Sequence, residues 1–235
     1  MIHNAGFSVK SLSFAFKKGN PLFFDSLSFL CRSGVVTFLQ GKNGVGKSTL
    51  FRLIGGHADH HELLEGAYQL DGETFVCSHN QFPRAYCQHV KMVIQDVDQM
   101  LALECTVEQN VRLAQVLRYP TLSLLPPVRK MDNMLHGIDM QLKASQLSGG
   151  QRQLLVLSMM LQKPVRLLLL DEPTASLDDY NADLVIEMTE NMARQYNLVV
   201  LIITHDADLV SKHKNTDLLV LKQTGHGKQI EKIRS

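Results

Sequence analysis

An α/β fold with a mostly parallel sheet is predicted by three observations. Residues 35–39, 167–170 and 198–203 are short apolar runs, the pattern of strands buried on both faces. Each ends on glycines or polar groups: a Gly-rich turn up to Lys47 after the first, Asp171-Glu172 after the second, Thr204-His205 after the third. The C-terminal edge of such strands is where open α/β sheets hold their ligands, so the chemistry is expected along one edge.

Before about Asp71, Phe7-Ser8-Val9-Lys10 alternates apolar and polar residues, which suggests an antiparallel β lobe. Gly41-Lys42-Asn43-Gly44-Val45-Gly46-Lys47-Ser48-Thr49 matches the pattern G-x-x-x-x-G-K-[ST] at every position. Gly41, Gly44 and Gly46 let the backbone bend tightly, so that several N–H groups converge on phosphate oxygens. A helix is expected to begin near Gly46-Lys47, run through Leu50, Phe51, Leu53 and Ile54, and stop at Gly55-Gly56. Its start adds unpaired N–H groups and the positive end of a dipole. Lys47 offers a compact cation to the β- and γ-phosphates, and the Ser48 hydroxyl is placed to ligate Mg²⁺.

His57-Ala58-Asp59-His60-His61 has residue types that ligate zinc. After a helix stopping at Gly55-Gly56, it reads as a solvated loop. Between Asp96 and Gln146 the organisation changes. Val107, Val111, Leu113, Ala114 and Leu117 recur at helical spacing, Pro120, Pro126 and Pro127 interrupt it, and residues 131–135 resume it. This predicts an inserted helical subdomain over about 96–151, within a single domain whose β lobe and catalytic core occupy about 1–95 and 152–235. Leu147-Ser148-Gly149-Gly150-Gln151 follows, with Ser148 as the expected N-cap of a helix through Gln153, Leu154, Leu157 and Leu161. Its glycines allow close approach of backbone to a phosphate.

Asp171, at the end of the second run, is placed to hold the Mg²⁺ hydration shell. Glu172 points at the γ-phosphate as the base that orients and activates the attacking water. The tail around Lys228, Glu231, Lys232 and Arg234 reads as a solvated, frayed terminus.

Composition sets the outer limits. The chain has 235 residues, 24 basic against 23 acidic, and a net charge of +1. That is enough length for a substantial core, and no sequence-wide field favours nucleic acid or anionic lipid. Cys31, Cys77, Cys87 and Cys105 show no CxxC spacing and read as ordinary thiols of a reducing compartment. No apolar stretch approaches the ~20 residues needed to span a bilayer. Residues 1–5 lack the basic-then-apolar pattern of a secretory signal. A cytoplasmic chain is expected.

The order of the phosphate-binding pattern, the pentapeptide 147–151 and the strand ending in Asp171-Glu172 resembles the ATP-binding subunit of ABC transporters. The resemblance runs from about Phe16 to His205 and takes in Pro173-Thr174-Ala175-Ser176-Leu177-Asp178, similar to the family's link to a dimer interface. It implies a phosphate-loop NTPase core and a head-to-tail dimer enclosing two ATP molecules. Ser148, Gly149, Gly150 and Gln151 would then reach the other chain's γ-phosphate, as an electrostatic clamp in trans. His205 takes the position of the switch histidine on the γ-phosphate. Gln95, in Val93-Ile94-Gln95-Asp96, takes that of the glutamine that touches Mg²⁺ and water and senses the membrane partner. Phe16 is the expected adenine-stacking ring, with Phe14, Phe23 and Phe24 as competitors, two of which must be core.

By the same resemblance the chain is an ATP hydrolase with ATP and Mg²⁺ as cofactors. Its partners would be a transmembrane permease, a second copy of itself or a homologous ATPase subunit, and an extracytoplasmic substrate-binding protein, with no nucleic acid. It would sit on the inner face of the cell membrane and energise import of a small solute. Export or extraction of a lipid or lipoprotein is an alternative, and a soluble ATPase acting on nucleic acid or ribosomes a more remote one. Two features depart from the common pattern. The helix from Arg152 lacks Ala-rich turns, and Asp179 stands where Pro is frequent. Met100, Leu101 and Leu103, just after Gln95, are the expected lining of the permease groove.

Overall fold

The structure is a computed structural model that describes residues 6–77, 83–116, 134–162, 164–224 and 227–234. In chain order its strands are β1 (Gly6–Ala15), β2 (Phe24–Arg32), β3 (Val36–Gln40), β4 (Leu63–Leu70), β5 (Glu73–Cys77), β6 (Val90–Val93), β7 (Leu167–Asp171), β8 (Val199–Ile203), β9 (Asp217–Thr224) and β10 (Gly227–Arg234). The α-helices are α1 (Lys47–Ile54), α2 (Arg84–His89), α3 (Val107–Val116), α4 (Gly149–Met160), α5 (Asp179–Tyr196) and α6 (Ala207–Lys212). A 3₁₀ turn covers Val97–Met100.

The apolar runs become the middle of a six-stranded sheet ordered β10-β9-β3-β8-β7-β6, parallel except for the β9/β10 hairpin. Parallel strands need both faces covered, and β7 shows why its run has no polar break. Leu167 and Leu169 enter one core with Leu50, Leu53, Phe7 and Tyr68, while Leu168 and Leu170 enter another with Leu157, Val185 and Ile186. The first core lies under α1 and the antiparallel sheet β2-β1-β4-β5, and the second under α4, α5 and α6. The alternation at residues 7–10 is therefore the expected β lobe, with Phe7 and Val9 buried in its core. A separate cluster of Val107, Val111, Ala144, Leu147, Leu155 and Met159 holds α3 to α4.

Arg166 ties lobe to core. Its guanidinium donates to Asp71 Oδ2 at 2.7 Å, to Glu73 Oε2 at 2.8 Å and to the Leu70 carbonyl at 2.9 Å. The loop at 57–61 is fastened by Arg52, which donates to the His57 carbonyl and pairs with Glu62.

The tail corrects its expectation. Residues 227–234 form β10, paired along β9. Lys228 is buried over the Phe23 ring, Lys232 reaches the fully buried Asp217, and Arg234 donates to the carbonyls of Val210, His213 and Thr216. Charge density alone suggested a frayed end; strand pairing instead seats Lys228 on an aromatic ring, Lys232 against a carboxylate and Arg234 on carbonyls, while Glu231 and Lys232 stay exposed. Met134 and Leu135 lie in a turn rather than a helix. The rest of the segment 131–135, with Leu117 and the three prolines, lies outside the described residues, as do residues 1–5.

Candidate functional site

Register brings four strand ends to one edge. Leu39 of β3 and Asp171 of β7 both pair with Ile203 of β8, and Val93 of β6 pairs with Leu170. The segments that leave these ends are 41–49, Gln95, Glu172 and His205, which places all four side by side.

The loop 41–46 turns on left-handed backbone at Gly44 (φ 74°) and Gly46 (φ 112°), where a side chain would be strained. Gly46 is the N-cap of α1, with no side-chain cap and no acidic residue in the first turn. The leading amides of α1 therefore lack a side-chain acceptor, which suits an anion. Lys47, only 7 % exposed, donates from Nζ to the carbonyls of Gly41 at 2.8 Å and Lys42 at 3.3 Å. Burial pushes its pKa down, while the charges of Glu172 and Asp171 pull it back up. Ser48 is exposed beside it.

Asp171 has its pKa raised, first by burial and then by the adjacent Glu172 charge, with Lys47 and His205 opposing. Lys47, Asp171, Glu172 and His205 thus form one electrostatic cluster. Two neighbouring carboxylates and a hydroxyl are hard oxygen donors, and their mutual repulsion is what a divalent cation relieves; the residues fit Mg²⁺. Glu172 Oε1 lies 2.6 Å from His205 Nε2. With Glu172 ionised, Nε2 carries the proton and donates it. The Glu172 backbone is left-handed (φ 49°), and its N–H donates to the Ile203 carbonyl at 3.0 Å. Such a conformation costs about 1–3 kcal/mol and persists where surrounding structure enforces it.

The aromatic competitors separate by exposure. Phe14 and Phe24 are fully buried, Phe23 is partly buried, and Phe16 is 46 % exposed with its ring 4.8 Å from Phe23. At the pentapeptide, Ser148 caps α4: its Oγ accepts from the Gln151 N–H, and Gln151 Oε1 accepts from the Ser148 N–H. A side chain at Gly149 would press on Leu177 and one at Gly150 on Asn181. These glycines are what allow the helix start to lie against the segment after β7. Gly149 shares a groove of about 480 Å³ with Gln95, Asp98, Arg152 and Ala175, so the pentapeptide faces the Gln95 side of the edge.

A model of the ABC transporter family matches residues 24–175. The chain belongs to the ABC transporter family. It is an ATP-binding ATPase coupled to transport. The ABC ATPase is 34 % identical over 211 residues to the "Tyrosine transport ATP-binding protein" of Clostridioides difficile, covering 84 % of this chain and 81 % of that one. It is 30 % identical over 224 residues to the "Molybdate import ATP-binding protein MolC" of Haemophilus influenzae, covering 94 % and 81 %. In fold it resembles cbiO1 from Clostridium perfringens, described as part of the ABC transporter complex cbiONQ. The TM-score there is 0.77 and the identity 24 %, over 96 % of this chain and 86 % of that one.

Two features of this ABC ATPase escaped the sequence reading. Arg152, noticed only as part of an unusual helix, donates to both carboxylate oxygens of Asp98 at 3.1 and 2.8 Å and to the Ser145 carbonyl. Its position directly after Gln151 was the available signal. Lys228 was grouped with a tail, and nothing in its spacing pointed to Phe23.

Proposed function

We propose that this ABC ATPase closes as a head-to-tail dimer on two Mg-ATP molecules and drives import of a small solute through a separate transmembrane permease. The observation that carries this reading is that one chain presents two distinct helix starts. The uncapped start of α1 stands beside Lys47 and the cluster of Asp171, Glu172 and His205. The capped start of α4 stands on Leu177 and Asn181. The first binds phosphates on its own chain, and the second is free to face a partner's.

In the reaction, loop amides and Lys47 hold the β- and γ-phosphates, and Phe16 stacks on the base. Ser48, Gln95 and Asp171 would hold Mg²⁺, which when bound neutralises charge on the phosphate oxygens. Glu172 accepts the proton of the attacking water, and His205, hydrogen-bonded to Glu172, fixes that carboxylate and reaches the γ-phosphate. Gln95 and the turn Val97–Met100 lead to the helical segment α3–α4, which carries the change to the permease.

Among the described residues no helix is long and apolar enough to cross a membrane. A permease partner therefore supplies the path, and the ATPase sits peripherally on the inner face of the membrane. Relatives named for tyrosine transport and molybdate import support a small solute as cargo. The test is co-purification with a candidate transmembrane permease, followed by uptake into proteoliposomes. ATP-dependent accumulation of a small solute is expected; ATP-dependent release, or no complex at all, would reverse the assignment.

A further inference from the structure

The β9/β10 hairpin meets the phosphate loop directly at Gly41 and, through Phe23, at Gly46. At Gly41, an added side chain would lie 2.5 Å from the Leu221 carbonyl oxygen; at Gly46 it would lie 2.6 Å from Phe23 Cε1. The Phe23 ring that closes on Gly46 carries the Lys228 ammonium on its face, and the Phe24 centroid is 5.4 Å from the same nitrogen. Phe16, the exposed ring, stands 4.8 Å from Phe23. One ring is thus shared by the start of α1, the exposed aromatic and the hairpin.

Lys228 is 8 % exposed, and among the described residues no hydrogen bond or ion pair reaches its ammonium. Burial alone lowers its pKa. A desolvated, unpaired cation weakens a fold unless aromatic faces offset the loss. The hairpin is held without it, by the β9/β10 pairing and by Ile230 against the core. A methionine would fill the same space without the desolvation cost. The two aromatic faces offset that cost, and the same Phe23 ring reaches the Gly46 start of α1, where a positive charge favours an anion.

We propose that Lys228 is a positioning residue for nucleotide: through Phe23 it holds the Gly46 end of the phosphate loop and sets a buried positive charge behind it. The proposal rests on the reading of residues 41–49 as the phosphate loop.

The test compares wild type, Lys228→Met and Lys228→Arg in the full chain, by calorimetric titration with Mg-ATP and by thermal melting without nucleotide. Wild-type binding checks the phosphate loop independently; a wild type that does not bind Mg-ATP overturns that reading and this proposal with it. Lys228→Met is expected to weaken Mg-ATP binding about tenfold, with a melting temperature close to wild type. Lys228→Arg should restore the affinity. Unchanged affinity in Lys228→Met overturns the proposal. So does a joint fall of affinity and melting temperature that Lys228→Arg fails to rescue, because that is the behaviour of a packing residue.

Discussion

Glu172 is held by two constraints of different kind. Its left-handed backbone, pinned by the N–H bond to Ile203, aims the side chain, and the 2.6 Å contact to His205 holds the carboxylate. Glu172→Gln preserves shape and a hydrogen bond but removes the base. Hydrolysis is expected to fall by about 10²–10⁴-fold while ATP binding survives. Sizing chromatography with Mg-ATP should then show a dimer; a monomer with near wild-type turnover would remove Glu172 from the role of base. Lys47 separates binding from chemistry in the opposite sense. Lys47→Ala deletes the buried cation beside the loop, and calorimetry should find tight Mg-ATP binding lost. An unchanged affinity would place the phosphates elsewhere.

At the scale of elements, the 3₁₀ turn Val97–Met100 and α4 are joined by the two-oxygen contact of Arg152 with Asp98. The side chains are 25 % and 40 % exposed, so the pair contributes only about 0.2–1 kcal/mol to stability. Its expected role is mechanical, to link the segment after Gln95 to the pentapeptide helix. Arg152→Ala should shift the melting temperature by no more than about 4 °C. Permease-coupled ATPase activity should nevertheless fall. The swap of Asp98→Arg with Arg152→Asp should recover it. Coupled activity indifferent to both single changes would leave an ordinary surface ion pair.

These elements also show where the sequence was legible. β3, β7 and β8 could be read because burial on both faces leaves short, largely apolar runs, and α1 and α4 because glycines and Ser148 mark their ends. β10 could not be read in this way. Its burial pattern alternates weakly, and its basic residues are seated by β9, Phe23 and Asp217, contacts that exist only after the chain has returned to the sheet. The Asp98 partner of Arg152 is likewise 54 residues away, beyond any local pattern.

Across the whole molecule, a strand edge that binds nucleotide and a helical segment built on its own small core have to meet, and they meet beside Gln95. Met100, one of the three residues expected to line a docking groove, borders a cleft of about 300 Å³ with Ala102, Leu113, Ala114, Met159 and Met160. Met100, Leu101 and Leu103 are each partly buried against the core clusters. A charge at Leu101, which packs against two of those clusters, would perturb the fold as well as any docked partner. Leu113 is 49 % exposed on α3 and can accept a charge without entering a core. The methionine-rich lining suits a short apolar helix of the permease, because thioether side chains adapt to irregular surfaces. Leu113→Glu is expected to keep the melting temperature and Mg-ATP affinity of the isolated ATPase. It should also lose co-purification with the permease, and with it ATP-driven uptake. A variant that assembles and transports like wild type would move the docking surface away from α3, towards the groove between Gln95 and Ala175.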